Sequence, residues 1–335
     1  MKSDIPALHK SFSGMFKIGA AVSPATIRSE GELIAKHFNS ITAENQMKFG
    51  VIHPEENRYE FAAADEIADF ALRNKIALRG HTLVWHNQTS DWVFTDPATG
   101  GPVSRELLLE RLKSHIVTVV GRYKGLAYAW DVVNEAIEDK SDKVMRESKW
   151  LELLGEDFLL HAFRLAHDAD PHALLFYNDY NETNPVKRQK IYNLVRSLLD
   201  KGAPIHGIGM QAHWNIYGPS LEEIKETIEL YASLGLQLHI TELDLSVFRH
   251  EDKRTDLLSP TPEMQELQEK RYEEIFRLFK EYSSTITSIT FWGAADTYTW
   301  LDDFPVRGRK NWPFLFDTKG EPKPSFWKVI EQAHL

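Results

Sequence analysis

Residues 236–247, LQLHITELDLSV, read as a buried strand that carries two carboxylates, Glu242 and Asp244, where an apolar core should continue. Taking such groups out of water is costly unless a partner or a ligand meets them, so the run raises the question of what surrounds it. Seven other short runs share its character: FKIGAAV (16–22), SITAENQ (40–46), IALRGHTLVW (76–85), AYAWDVVNE (127–135), ALLFYNDY (173–180), GIGMQAHW (207–214) and SITFWGAAD (288–296). All are rich in β-branched and aromatic residues. Between them lie stretches of helical periodicity at 64–74, 104–123, 155–169, 186–202, 220–235 and 261–282. Ser104 and Ser220 stand where N-caps belong, and Gly202 and Gly235 where a glycine closes a last turn.

Alternation of strand and helix predicts parallel strands joined by right-handed crossovers, and eight of them suffice to close a barrel. The expected fold is therefore α/β, a (β/α)8 TIM barrel, as a single domain over residues 1–335 with no separate binding module. An open doubly wound sheet is the alternative, but FKIGAAVSPATIRSEG after the first strand holds no G-x-G-x-x-G fingerprint. No linker, low-complexity tract or short repeat divides the chain. Segment 245–262, LSVFRHEDKRTDLLSPTP, follows the seventh strand and is expected to be a functional loop, because unstructured loops of that length are uncommon in compact domains.

Composition narrows the chemistry. Apolar residues make up 42% of the 335 and charged residues 26%, enough for a large core in a soluble globular protein. A formal net charge of −10 argues against nucleic acid or an anionic membrane as partner and favours a neutral ligand; it sets no oligomeric state. With no cysteine there is no disulfide, thiolate metal site or thiol nucleophile, which leaves carboxylates, His and Ser/Thr. MKSDIPALHKSFSGMF (1–16) lacks the apolar run of a secretory signal and no 18-residue apolar stretch occurs, so a cytoplasmic location is expected.

In a barrel, chemistry gathers at the C-terminal ends of the strands. Here nearly every strand ends in polar residues: Glu44, Asn45 and Lys48 after the second, His81, Trp85 and His86 on the third, Asn134 and Glu135 on the fourth. Asn178, Asp179 and Tyr180 follow on the fifth, Gln211 and His213 on the sixth, Glu242 and Asp244 on the seventh, and Trp292 and Asp296 on the eighth. Any one of these has a plainer use, as a helix cap, an ion pair or a hydrogen-bonded core histidine such as His81 or His239. Together at one end they would be a costly burial pattern without a ligand to fill the space. Cleaving a glycosidic bond needs two carboxylates, and Glu135 with Glu242, facing each other across the mouth, are the best pair. A gap of about 5 to 5.5 Å between their carboxyl groups retains anomeric configuration and roughly 6.5 to 9.5 Å inverts it.

TAENQMK (42–48), RGHTLVWHNQ (79–88), WDVVNEAI (130–137), YNDYN (177–181), GIGMQAHW (207–214), ITELD (240–244), TFWGAADTYTWL (290–301) and PFLFD (313–317) occur in this order. They resemble the retaining endo-β-1,4-xylanases of glycoside hydrolase family 10 over almost the whole chain. The resemblance implies Glu135 as general acid/base and Glu242 as nucleophile, hydrolysing internal β-1,4-xylosidic bonds without cofactor or metal. It implies His213 as hydrogen-bond partner of the nucleophile, with Asp244 behind it. Lys48, His81, Trp85, Asn134, Gln211, Trp292 and Trp300 would wall the subsite of the sugar being cleaved. Glu44, Asn45 and Gln88 would line the next glycone subsite, and Tyr180 would lie toward the leaving group. Soluble xylan fragments and xylo-oligosaccharides are the implied substrates.

These roles carry physical expectations. The Glu135 pKa should be raised by apolar walls and by the charge of Glu242, while hydrogen bonds from His213 and Asn134 should hold Glu242 ionised. Asn134 could also bind the sugar 2-OH, and the Trp faces should act as platforms. Ser90 and Thr299 stand where the family often has Pro and Ser, and the loops 245–262 and 301–312 are expected to shape the mouth. Competing readings are a metal-dependent hydrolase using His81, His86, His213 or His239, which lacks an H-x-H or H-E-x-x-H motif; a non-catalytic sugar-binding module; and a β-1,4-glucanase. Against the last, Trp300 and Gln88 are candidates for crowding out the hydroxymethyl group of glucose.

Overall fold

The computed structural model describes residues 5–140 and 142–335; residues 1–4, the start of the segment read for an export signal, and residue 141 lie outside the described residues. Eight strands alternate with helices: β1 (Lys17–Val22), β2 (Ser40–Ala43), β3 (Ala77–Trp85), β4 (Ala127–Asn134), β5 (Leu174–Asp179), β6 (Gly207–Met210), β7 (Gln237–Ser246) and β8 (Ile286–Phe291). Each pairs in parallel with its neighbour, and β8 closes onto β1 with Lys17 opposite Ser288. This is a closed (β/α)8 barrel.

Three strand expectations need correction. SITAENQ ends as a strand at Ala43, SITFWGAAD at Phe291, and GIGMQAHW is interrupted: β6 stops at Met210, and a three-residue extension, His213–Asn215, pairs separately with Asp244–Ser246. Ala212 causes the break, with φ of 58° in the left-handed region, so the backbone turns before His213.

The six expected helices form at Ala62–Asn74, Arg105–Arg122, Phe158–Ala169, Pro185–Asp200, Leu221–Ala232 and Pro262–Glu281. Ser104 caps through the Leu107 N–H, and Ser220 forms a capping box with Glu223. Pro24–His37, which the periodicity reading passes over, completes the alternation between β1 and β2, capped reciprocally by Ser23 and Thr26. A last helix, Pro324–His334, buries Phe326, Val329 and Ile330.

The barrel interior is polar below the mouth as well as at it. Arg79 on β3 makes a bidentate pair with Asp131 on β4 at 2.5 Å for each bond and donates from Nε to His239 Nδ1. Burial works against the Asp131 charge, but the Arg79 cation and the His81 hydrogen bond hold its pKa down to about 2. His239 stacks on Phe176 at 3.9 Å, a core histidine on the barrel floor. Above the floor, segment 247–261 rests on a small apolar cluster of Ile216, Val247, Phe248, Met264 and Trp312, which ties it to the loop before 312.

Candidate active site

Glu135 follows directly on β4 with φ of 56°, a conformation that costs a non-glycine residue roughly 1–3 kcal/mol. Its N–H donates to the Asn178 carbonyl, and the turn aims its carboxyl at the mouth. There Trp85 Nε1 donates to Oε2 at 2.8 Å and Gln211 Nε2 to Oε1 at 2.9 Å. Loss of water, then the negative charge of Asp179, raises the Glu135 pKa, with Glu242 adding to the shift; the two hydrogen bonds oppose it without prevailing.

Glu242, on β7, is 5% exposed and surrounded by donors. His213 Nε2 lies 2.9 Å from Oε2, Asn178 Nδ2 donates to Oε1 at 3.0 Å, and His81 Nε2 stands 3.9 Å from Oε1. Burial alone would raise its pKa; the His213 hydrogen bond and the charges of His81 and His213 reverse the sign and lower it. His213 is itself gripped by Asp244, Nδ1 to Oδ2 at 2.9 Å. Burial opposes the imidazolium, yet Asp244 and then Glu242 push its pKa well above the ordinary histidine value. With both nitrogens protonated it donates to both carboxylates.

Neutral amides connect the two glutamates. Asn178 Nδ2 donates to Asn134 Oδ1 at 2.9 Å as well as to Glu242, and Gln211 Nε2 reaches Asn134 Oδ1 at 3.3 Å as well as Glu135. The amide on Glu242 is therefore Asn178, not the expected Asn134, whose oxygen accepts from Asn178 and Gln211. Room for Asn178 comes from Gly209 across the sheet, where a Cβ would lie 2.2 Å from Asn178 Oδ1.

The other expected site residues gather around this pair, with one exception. Trp300 Nε1 donates to Asp244 Oδ2 at 2.8 Å, and Trp292 stands edge-on to both His81 and His213. Lys48 donates to Asn45 Oδ1 at 2.8 Å and lies 5.0 Å from the Trp85 ring centre. Glu44 is buried and accepts from Tyr298; burial raises its pKa against the pull of Lys48. Tyr180 accepts from Arg146, which also holds the Glu135 carbonyl. Gln88 is the exception. Its side chain is exposed and bonds none of the others, while its carbonyl accepts from the Gly50 N–H.

Arg146, Tyr298 and the Arg79–Asp131 pair are residues that the motif reading left out of the site, and Asn178, named at the end of the fifth strand, carries no role there. Strand alternation held a usable signal for one of them: Phe176 and Asn178 share a face of β5, and Phe176 lies in the barrel against His239. Among the described residues no three His, Asp or Glu side chains converge as metal ligands.

A couple of carboxylates, one favoured in its protonated form and one in its ionised form, fits acid-assisted displacement at a sugar carbon. The family model of Glycosyl hydrolase family 10 matches residues 7–332. The chain is 69% identical over 332 residues to endo-1,4-beta-xylanase B of Paenibacillus barcinonensis, covering 99% of this chain and 100% of that one. It is 57% identical over 330 residues to an endo-1,4-beta-xylanase of Geobacillus stearothermophilus, covering 98% and 99%. Among solved structures, that of XynB from Paenibacillus barcinonensis with a conduramine derivative superposes with a TM-score of 0.97 at 69% identity, covering 99% of this chain and 100% of that one. A variant solved in complex with xylotriose gives 0.96 at 52% identity, covering 98% and 100%. A match of this length and identity makes the chain a member of glycosyl hydrolase family 10.

Proposed function

We propose that Glu242 is the nucleophile and Glu135 the general acid/base with which this chain, an endo-1,4-β-xylanase, hydrolyses internal β-1,4-xylosidic bonds by retaining double displacement. The observation that carries the assignment is the opposite surroundings of two like side chains in one mouth: Glu242 meets His213 and the Asn178 amide, which favour its ionised form, whereas Glu135 meets only the neutral Trp85 and Gln211 with Asp179 behind them, which favours its protonated form. In the first step Glu135 gives its proton to the leaving oxygen while Glu242 attacks the anomeric carbon. Forming the glycosyl ester consumes the Glu242 charge, which lowers the Glu135 pKa and lets the same group take a proton from the incoming water.

Substrate recognition follows from the walls. Trp85, Trp292 and Trp300 offer apolar faces to the sugar being cleaved, His81 and Gln211 close its subsite, and Asn134, whose NH2 has no partner among the described residues, is free to donate to a 2-OH. Lys48, beside the Trp85 ring, belongs to the same wall; Glu44 and Asn45 form the next glycone subsite with Gln88 at its rim, and Tyr180 lies on the leaving-group side, where Arg146 links it to Glu135. Asp244 acts through His213.

The net charge of −10 suits a neutral sugar better than nucleic acid or an anionic membrane. No helix among the described residues is long and apolar enough to cross a membrane. We place the enzyme's work on soluble xylan fragments and xylo-oligosaccharides in the cytoplasm, which activity in washed, lysed cells against the culture medium tests. Time-resolved NMR of xylotetraose hydrolysis tests the chemistry: the β-anomer should appear first and mutarotate later. A first product in the α configuration would refute the double displacement. Aryl xylobiosides should react far faster than aryl cellobiosides, and comparable rates would point to a glucanase.

A further inference from the structure

We propose that Glu182 is a positioning residue for His213, gripping the chain on both sides of the imidazole that donates to Glu242; the inference rests on the reading of Glu242 as nucleophile. Glu182 lies in the turn after β5 and is 1% exposed. A single oxygen, Oε1, accepts from the Ala212 backbone N–H at 3.2 Å and from Trp214 Nε1 at 3.1 Å. These are the residues immediately before and after His213. Ala212 holds the left-handed backbone that separates β6 from its extension, a conformation that persists in non-glycine residues where the surroundings impose it. Fixing the N–H at this kink and the side chain just beyond it fixes the direction of His213, hence its 2.9 Å contacts to both Glu242 and Asp244.

The anchor is itself fastened. Tyr231 on the helix Leu221–Ala232 donates its hydroxyl to the Glu182 carbonyl, and the Trp214 ring packs against Phe279. Packing alone would not favour a carboxyl at this place. Glu182 Oε2 is buried without a hydrogen-bond partner, so the site carries a desolvation cost that an apolar residue would avoid. Burial lifts the Glu182 pKa to about 7 against the pull of His213 and Lys187. The charged and titratable groups around it are His213 on the β6 extension, Lys187 on the helix Pro185–Asp200, and Tyr231, which also feels Asp179 and Arg188. A neutral carboxyl still accepts both N–H bonds at Oε1, so glutamine should serve in its place.

The test is the pH profile of kcat/KM on an aryl xylobioside, with Tm measured beside it. The acid limb reports ionisation of Glu242, which His213 assists. Glu182→Ala should move that limb upward by about half to one pH unit and lower kcat with KM little changed. Glu182→Gln should return the limb to its wild-type position, and Trp214→Phe, which removes one of the two donors, should move it upward by less than Glu182→Ala. An unmoved limb in Glu182→Ala, whatever happens to Tm, overturns the role, as does a Gln variant displaced as far as the Ala variant. If Glu182→Ala does not fold, Trp214→Phe decides: an upward shift supports the role and an unmoved limb overturns it. His213→Asn calibrates the axis. An unmoved limb there brings down the reading of Glu242 and this role with it, whereas a moved limb there beside an unmoved one in Glu182→Ala removes only the role of Glu182.

Discussion

Glu135 at the end of β4 and Glu242 on β7 are the same residue type joined by one chain of amides, yet their surroundings push them in opposite directions. On the β7 side the neighbours are His213, made an imidazolium by Asp244, and His81, whose Nδ1 lies 2.8 Å from Asp131. On the β4 side the neighbours are Trp85, Gln211 and, behind them, the negative Asp179. What separates acid from nucleophile is thus the charge of the layer one residue further out. Asn134, Asn178 and Gln211 fill the space between with neutral dipoles, which orient both carboxyls without erasing the difference.

The contrast can be broken most severely by removing one of its terms. Glu242→Ala should lower kcat by about 10⁴-fold or more, and added azide should restore turnover with an inverted product; residual activity near wild type would disprove the nucleophile. Glu135→Ala should cost about 10²- to 10⁴-fold on xylo-oligosaccharides and far less on aryl glycosides with good leaving groups, which need no protonation. Equal losses on the two substrates would reject the acid. Gly209→Ala attacks the bridge: its Cβ would meet Asn178 Oδ1 at 2.2 Å and Thr241 Cγ2 at 2.9 Å, so Asn178 must leave Glu242 or the strands must part. A roughly tenfold fall in kcat is expected, the value of a hydrogen bond to a charged group of about 1.5 kcal/mol. Unchanged kcat would mean that Asn178 is dispensable.

Much of this was legible in the chain. Eight runs of strand character gave the barrel, and polar residues at their ends gave the mouth, because period-two alternation and strand-end chemistry are local properties. Motif order supplied the roles expected of Glu135, Glu242 and His213. The helix Pro24–His37 escaped because Gly31 and the run of small and polar residues weaken its apolar stripe; its capping box was the better signal. The break at Ala212 escaped because a left-handed alanine is imposed by distant partners, Glu182 among them. The bond from Asn178 to Glu242 is not legible for the same reason: which of two neighbouring asparagines meets Glu242 depends on register between β4, β5 and β7, and on the space that Gly209 leaves, neither of which a single segment encodes.

Asp179→Asn tests the outer layer with the smallest change. Asp179 is fully buried, accepts from Tyr177 and the Tyr180 N–H, and pairs with Lys187 at 2.9 Å. An asparagine can keep an acceptor for those neighbours while deleting the charge. Breaking a buried pair should cost roughly 3 kcal/mol of stability, seen as a lower urea midpoint. Its effect on the rate at the optimum should be slight, because neither reacting group is touched. The pH profile should change on one side only. Glu135 works as an acid in its protonated form, so activity falls as pH rises through its raised pKa; Asp179 is the second cause of that rise, after loss of water, and its removal lowers the pKa. The alkaline limb should therefore move to lower pH, while the acid limb, set by Glu242 and its donors on the far side of the mouth, stays in place. Movement of both limbs together would mean that the two carboxylates titrate as one coupled unit and that the outer layers do not divide their roles.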